Sequence, residues 1–158
     1  MKLSQGVEWG LHCCVVLGQA IAPVPTARLA EFHGVSPTYL AKHLQALARA
    51  GLVRSTQGQV GGYELVRPAA DITLLDVVRA IDGEEPAFRC TEIRRRGPLG
   101  TPPEQCIRPC AVARAMWAAE DAWRASLASV TIADLTGDVQ TDSDGAAMPR
   151  LRDWLTTA

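Results

Sequence analysis

Residues 47–67 read LARAGLVRSTQGQVGGYELVR. Two strand-like segments, 52–55 and 63–66, flank a stretch with three glycines in seven residues, 56–62. Strand-like segments on either side of such a glycine-rich reversal are typical of a β-hairpin. The stretch therefore predicts a small two-stranded sheet that follows directly on a helix.

The residues upstream of this hairpin predict two short helices. The first covers about 26–33 and ends at Gly34, and the second covers about 36–50, with Ser36 as N-cap and Pro37 in its first turn. Two short helices joined by a turn that contains glycine form a helix-turn-helix, and a hairpin after them makes a winged helix. We expect a mostly α-helical chain with a small β-wing.

Local charge favours nucleic acid as the partner of this domain. The chain carries a net charge of −1, yet residues 28–67 contain five arginines and lysines against two glutamates. Binding to DNA needs such a local positive footprint, because neutralised phosphates release counterions. The alternatives are a helical hairpin that only packs, or a module that binds something other than DNA.

In a winged helix, the second helix of the helix-turn-helix presents its N-terminal residues to base edges, and the wing tip can enter the adjacent minor groove. Lys42 and His43 lie one turn further along and are expected to reach a phosphate or a base. The predicted contacts to double-stranded DNA are Arg28, Ser36, Pro37, Thr38, Tyr39, Lys42, His43, Gln57 and Gln59.

Four segments are expected along the chain: a winged-helix DNA-binding domain at 1–83, an irregular proline-containing loop at 84–109, a long helix with a short following helix at 110–139, and a mobile tail at 140–158. An apolar stripe on the long helix predicts packing against a second copy, and therefore a homodimer. The stripe consists of Val112, Met116, Ala119, Trp123, Leu127 and Val130.

Composition excludes several classes of protein. The 158 residues are 47% hydrophobic, which excludes a disordered chain. No apolar run approaches the roughly 20 residues that span a bilayer. The N-terminal stretch has no convincing cleavage site, so we expect a cytoplasmic protein with no membrane partner. Five cysteines in that compartment favour a metal site or reactive thiols over a disulfide framework.

Three cysteines, Cys90, Cys106 and Cys110, are grouped in the loop and at the start of the long helix. Thiolates are soft ligands that select zinc, copper(I) or iron–sulfur clusters. Cys110 follows Pro109, so it is expected in the first helical turn, where backbone N–H groups stabilise a thiolate. The three cysteines form no CxxC pair, and no histidine lies near them in sequence.

The further ligands are expected from the apolar first helix, at about residues 4–20. Glu8 and His12 lie four residues apart and so share one face of that helix. We predict that they complete, from one subunit, a site begun by the cysteines of the other; the alternative is an exposed hydrogen-bonded pair. Trp9 lies between them in sequence and is expected either to pack or to sit over the metal site as a redox relay.

The remaining cysteines, Cys13 and Cys14, are expected to pack in the core. Adjacent side chains on a helix point about 100° apart, so both cannot face one metal. A thiol enzyme that pairs one of them with His12 is disfavoured, because adjacent residues of one helix rarely form a nucleophile and base in good geometry. We therefore expect no enzymatic activity.

Residues 47–67, together with ITLLDVV at 72–78 and AIDG at 80–83, closely resemble the iron–sulfur winged-helix repressor family. This family includes the iron–sulfur cluster assembly regulator and the nitric-oxide-sensitive repressor. The segment SPTYL at 36–40 is similar to the start of the family's recognition helix. The resemblance covers about residues 1–130 and is most specific around the GGY triplet of the hairpin.

The resemblance implies a homodimeric regulator crossed through the long helix, with a [2Fe–2S] or [4Fe–4S] cluster held by three loop cysteines and one further ligand. In some members that ligand is a carboxylate from the partner's first helix, which corresponds to Glu8. This chain departs from the family pattern in its wider cysteine spacing and in lacking a histidine after the third cysteine. We therefore expect a cluster-binding loop at 84–109 and the ligands Glu8, His12, Cys90 and Cys110, with Cys106 in reserve.

These expectations combine into one hypothesis about function. Imidazole in place of thiolate raises the reduction potential of a cluster. We expect a [2Fe–2S] cluster, favoured over [4Fe–4S], whose redox or nitrosylation state controls the DNA affinity of a repressor. The alternative keeps the DNA binding but replaces the cluster with zinc or a cluster-free thiol switch.

Overall fold

The structure is a computed structural model that describes residues 2–58 and 61–157. It divides into two compact units: residues 84–126 form one, and residues 2–83 with those from 127 onward form the other. The elements in chain order are α1 (Gln5–Leu17), α2 (Thr26–His33), α3 (Pro37–Arg49), β1 (Val53–Thr56), β2 (Gly62–Leu65), α4 (Leu74–Asp82), α5 (Ala111–Ala128), α6 (Ile132–Asp142) and α7 (Ala147–Thr156).

The larger unit has an apolar core built mainly from helices. The predicted stripe of α3, Leu40, Leu44 and Leu47, is fully buried and meets Leu29 of α2 in this core. Each buried leucine stabilises the fold by about 1.5–3 kcal/mol relative to an exposed one. The helix-turn-helix predicted from this periodicity is confirmed.

The start of α3 differs from the expected capped terminus. Ser36 has the extended backbone of an N-cap residue, but its side chain makes no capping hydrogen bond. Pro37 occupies the first turn, where its fixed φ angle suits a helix and its missing N–H is not needed. Proline therefore begins this helix without help from the serine hydroxyl.

The wing is an antiparallel hairpin in which Val53 of β1 lies opposite Leu65 of β2. A third segment joins it, because the backbones of Val24 and Tyr63 exchange two hydrogen bonds of 2.9 Å. A Cβ atom at Gly62 would lie 2.4 Å from the carbonyl carbon of Val24. Only glycine permits this approach, which fixes the wing against the chain that leads into α2.

The C-terminal residues correct the expectation of a mobile tail at 140–158. α7 follows α6 after a short turn and buries Met148 and Leu151 in the main core. The Gln140 side chain accepts a 3.0 Å hydrogen bond from the Met148 N–H and donates to the Gly145 carbonyl. The polar residues that suggested a tail form a hydrogen-bonded turn, and the helix α7 begins directly after it.

The smaller unit contains the loop and most of α5. The buried Glu120 carboxylate accepts hydrogen bonds from the Arg124 guanidinium and from the Ala87 N–H at 3.1 Å, which joins the loop to the helix. The Arg124 interaction lowers the pKa of Glu120.

The predicted apolar stripe of α5 begins on exposed residues, since Val112 is 64% and Met116 44% exposed. Among the described helices, none is both long and apolar enough to cross a bilayer.

Replacing Gly62 with alanine tests the close approach of the wing. The new methyl group would meet the Val24 backbone, so we expect the free energy of unfolding to fall by about 1–3 kcal/mol, the usual cost of overpacking. Gly137→Ala is the matched control, because a Cβ atom there meets nothing within 4 Å in α6. Urea unfolding should show this control stabilised by about 0.5–1 kcal/mol; equal effects at both positions would contradict the proposed clash.

Candidate metal centre and nucleic-acid interface

Two of the predicted ligands lie side by side in the smaller unit. The Sγ atoms of Cys90 and Cys110 are 3.7 Å apart although the residues are 20 positions apart in sequence. Two thiolates bound to one tetrahedral metal ion at the usual metal–sulfur length of about 2.3 Å lie about 3.8 Å apart. The pair therefore has the spacing that a single tetrahedral iron or zinc ion requires.

Backbone N–H groups stabilise both sulfur atoms. The Glu92 N–H donates to Cys90 Sγ at 3.4 Å, and the Ala113 N–H donates to Cys110 Sγ at 3.3 Å. Cys110 was expected in the first helical turn but directly precedes α5, and its sulfur accepts from the third residue of that helix. This Ala113 bond is the main reason why the pKa of Cys110 is lowered. The Glu92 bond lowers the pKa of Cys90, but desolvation and the adjacent Cys110 thiol outweigh it and raise that pKa overall.

A carboxylate and an arginine that the sequence analysis did not single out as site residues also lie beside the thiol pair. Glu92 has a left-handed backbone with φ of 51°, and its Oε1 lies 3.8 Å from Cys90 Sγ. Arg94 donates to the Glu92 carboxylate at 2.7 Å and to the Arg108 carbonyl, which joins the two halves of the loop. Cys106 lies near the Thr101 carbonyl at 3.9 Å. The one signal in the sequence that Glu92 lies beside the thiol pair is its position two residues after Cys90.

The other predicted ligands, Glu8 and His12, lie on α1 in the larger unit, and both are exposed. They line an apolar cavity of about 700 Å³ together with Leu11, Val15 and Leu135. Within the described part of the chain, no three His, Cys, Asp or Glu side chains are grouped so as to hold a metal.

Trp9 is half-buried and contacts the helix-turn-helix. Its ring meets that of His33 at 5.9 Å and that of Tyr39 at 6.4 Å, both edge to face. The His12 ring lies 6.0 Å from that of His33. The Trp9 indole N–H is buried and donates to no acceptor among the described residues. These rings join the candidate ligand helix to the first turn of α3.

The buried cysteines of α1 follow the expectation from sequence. Cys13 and Cys14 are fully buried in the core. Burial raises the pKa of each thiol to about 12, with the Cys13 charge contributing at Cys14. Neither thiol is available as a nucleophile or as a metal ligand at neutral pH.

The predicted DNA-facing surface is largely accessible. Ser36, Pro37, Thr38 and Tyr39, at the start of α3, and Lys42, one turn later, are all exposed. Gln57 is exposed at the tip of the wing, whereas Gln59 lies outside the described residues. A helix that presents its first turn beside an exposed wing is the arrangement by which winged helices contact the major groove and the DNA backbone.

His43 is the first exception, because it faces inward. Its side chain is only 8% exposed, and a Cβ atom at Gly6 of α1 would lie 2.5 Å from its imidazole. The ring of Tyr39 covers it at 5.0 Å. The prediction that His43 reaches DNA is therefore corrected: glycine in α1 lets that helix pack directly on the imidazole.

Arg28 is the second exception. Its guanidinium lies 3.6 Å from the ring centre of Trp154 in α7 and donates to the Trp154 carbonyl at 2.7 Å and to Glu31 at 3.0 Å. Its side chain is 20% exposed. Arg28, which was expected to contact DNA, therefore contacts the C-terminal helix in this structure.

Comparison with known proteins shows where this arrangement belongs. The model of the Rrf2 family, described as an iron-dependent transcriptional regulator, matches residues 3–138. The chain belongs to the Rrf2 family. It is therefore a helix-turn-helix transcriptional regulator and not an enzyme, as the hairpin and the SPTYL segment indicated.

Individual relatives agree with the Rrf2 assignment. The protein aau3 of Rhizobium meliloti is 36% identical over 138 residues, which cover 85% of this chain and 84% of that protein. The regulator IscR of Vibrio atlanticus is 40% identical over 92 residues, or 57% of this chain and 53% of that protein.

Solved structures of two regulators, CymR and IscR, share the fold. CymR, the global cysteine regulator of B. subtilis, superposes with a TM-score of 0.68 at 26% identity, covering 87% of this chain and 97% of that one. T. potens IscR gives a TM-score of 0.66 at 26% identity, covering 90% of each chain. The mostly helical fold with a two-stranded wing is thus the Rrf2 winged helix.

The burial of His43 predicts a pH dependence of stability. Burial, and then the Lys42 charge, lower the pKa of this imidazole below its ordinary 6.5. Below pH 6.5 the unfolded chain therefore binds a proton at His43 that the folded chain does not bind. The free energy of unfolding then falls as the pH falls, by at most about 1.4 kcal/mol per pH unit for one proton. Unfolding measured in urea between pH 8 and 5 should show a shallower dependence in His43→Leu. A variant with the same pH dependence as the natural chain would contradict this assignment.

Proposed function

We propose that this chain is a cytoplasmic homodimeric repressor whose affinity for double-stranded operator DNA depends on the redox or nitrosylation state of an iron–sulfur cluster. A [2Fe–2S] cluster is favoured over [4Fe–4S]. The observation that carries the proposal is the pair of thiols at Cys90 and Cys110, 3.7 Å apart in a family described as iron-dependent.

The donor set fits a [2Fe–2S] group with mixed ligands. Cys90 and Cys110 have the spacing needed to hold one iron, and Glu8 and His12, one turn apart on α1, are suited to hold the second. The neutral imidazole in place of a thiolate reduces the negative charge on such a group and raises its potential, whereas the carboxylate carries the same charge as the thiolate it replaces. Bound there, the group would supply a one-electron redox couple.

The exposed positions of the ligands favour a site shared between subunits. Glu8 and His12 are exposed, and no complete ligand group is found within the described part of one chain. Along α5, exposed Val112 and Met116 begin an apolar stripe that suits burial against a second copy. We infer that a dimer formed through α5 brings the ligands of α1 to the loop of the partner.

The packing of α1 gives the site a mechanical connection to DNA binding. Glu8 and His12 lie on one face of α1, while Gly6 on another face rests against His43 of the recognition helix α3. The ring of Trp9 contacts that of Tyr39 at the start of α3. We assign Trp9 the role of the relay between the redox state of the metal site and this helix. A displacement of α1 at its ligand face is therefore passed to the helix that reads DNA, which would change the spacing of the two wings relative to the operator half-sites.

Complementation between two defective chains tests the shared site. We expect the double variants Glu8→Ala/His12→Ala and Cys90→Ala/Cys110→Ala to lose iron as homodimers. A heterodimer of the two, isolated anaerobically through two different affinity tags, should regain one of its two sites, because each chain supplies what the other lacks. Iron analysis and visible absorption measure this, and a dimer of two differently tagged natural chains is the control that keeps both sites. A heterodimer without iron would contradict sharing between subunits.

Gel-shift assays during anaerobic redox titration test the sensor function. We expect the operator affinity of the oxidised and reduced proteins to differ by at least tenfold, about 1.4 kcal/mol. Trp9→Phe should keep the absorption spectrum and reduce this difference. Equal affinity in both states would exclude the redox switch, and a colourless protein that contains zinc would favour the zinc-site alternative.

A further inference from the structure

The contact between Arg28 and the C-terminal helix has no place in the function proposed above. Arg28 is the third residue of α2, the first helix of the helix-turn-helix, and that helix crosses the DNA backbone in this motif. Its guanidinium stacks on Trp154 and donates to the Trp154 carbonyl and to Glu31. The Arg28 guanidinium, which is suited to bind a DNA phosphate, is thus bound to Trp154 and Glu31 of the same chain.

The hold on Arg28 comes from the last two turns of α7, beyond the buried anchors of that helix. Met148 and Leu151 fix the first part of α7 in the core. Trp154 lies one turn later and is only half-buried, with the ring of Phe32 at 5.2 Å. The end of α7 is therefore held less firmly than its first part, since Trp154 and Leu155 are only half-buried where Met148 and Leu151 are buried.

The hydrogen bonding of Arg28 is also incomplete in this position. Its Nε–H is buried and finds no acceptor among the described residues. A phosphate accepts two parallel bonds from the Nε and Nη groups of arginine, which is the strongest arrangement available to this side chain. DNA would therefore satisfy a donor that α7 leaves without an acceptor.

We propose that Arg28 is a DNA-phosphate ligand that the C-terminal helix withholds through Trp154. With the end of α7 in place, the guanidinium is stacked and its charge is partly neutralised by Glu31. When residues 152–157 leave α2, Arg28 becomes available to the DNA backbone. α7 is then an autoinhibitory element whose action depends only on the DNA-binding fold and not on the metal site.

The salt dependence of DNA binding tests this proposal directly. Two variants are compared with the full chain: one that ends after Leu151, and Trp154→Ala, which keeps the chain length. Binding to a labelled random-sequence duplex is followed by fluorescence anisotropy between about 50 and 200 mM salt, because phosphate contacts do not depend on sequence. We expect the slope of log K against log salt to steepen by about 0.9 for each Arg28 released in the shortened chain, and by a smaller amount in Trp154→Ala.

Two controls separate the release of Arg28 from a general change in the protein. Adding Arg28→Ala to either variant should restore the slope of the full chain. Trp154→Phe keeps an aromatic face beneath the guanidinium and should behave like the natural chain. An unchanged slope in Trp154→Ala, or a steeper slope that Arg28→Ala does not reverse, would overturn the proposal. Thermal unfolding shows whether the shortened chain is folded; if it is not, Trp154→Ala decides.

Discussion

The close approach of α1 to α3 and α4 is the contact on which the other arrangements depend. It is possible because Gly6 and Gly10 have no side chains: a Cβ atom at Gly6 would enter the His43 imidazole, and one at Gly10 would lie 3.1 Å from Val77. The Ser4 N–H fixes the start of α1 through a 2.8 Å hydrogen bond to Asp82 at the end of α4. A larger residue at Gly6 would have to displace either the His43 imidazole or the helix that carries the candidate ligands.

The two halves of the candidate metal centre are prepared in different ways. Cys90 and Cys110 are placed by an irregular loop and a helix start, whose backbone N–H groups point at the sulfur atoms. Glu8 and His12 are placed only by the helical repeat of α1 and stay exposed. One half is therefore preorganised within a single chain, and the other is a rigid, exposed surface feature that the proposed function assigns to a site shared between subunits.

Local patterns predicted most of the fold, and two of the failures arise from contacts between segments that are distant in sequence. The leucine stripe of α3 and the glycine-rich hairpin depend on neighbouring residues, so their period could be recognised in the sequence. The burial of His43 depends on a glycine 37 positions earlier, and the capture of Arg28 depends on a tryptophan 126 positions later. α7 was missed because polar turn residues precede its buried Met148 and Leu151. Contacts between distant segments leave no periodic trace. Glu92 is a different case, because it lies only two residues from Cys90 but in an irregular loop without a periodic pattern.

The cysteines buried in α1 have a consequence for how the protein withstands chemical damage. With pKa values of about 12, Cys13 and Cys14 stay protonated at neutral pH, and peroxides and electrophiles attack the ionised form. Such reagents are directed to the half-buried loop thiols, outside the hydrophobic core. The apolar interior that holds the helices together therefore keeps both of its thiols in the form that reacts slowly.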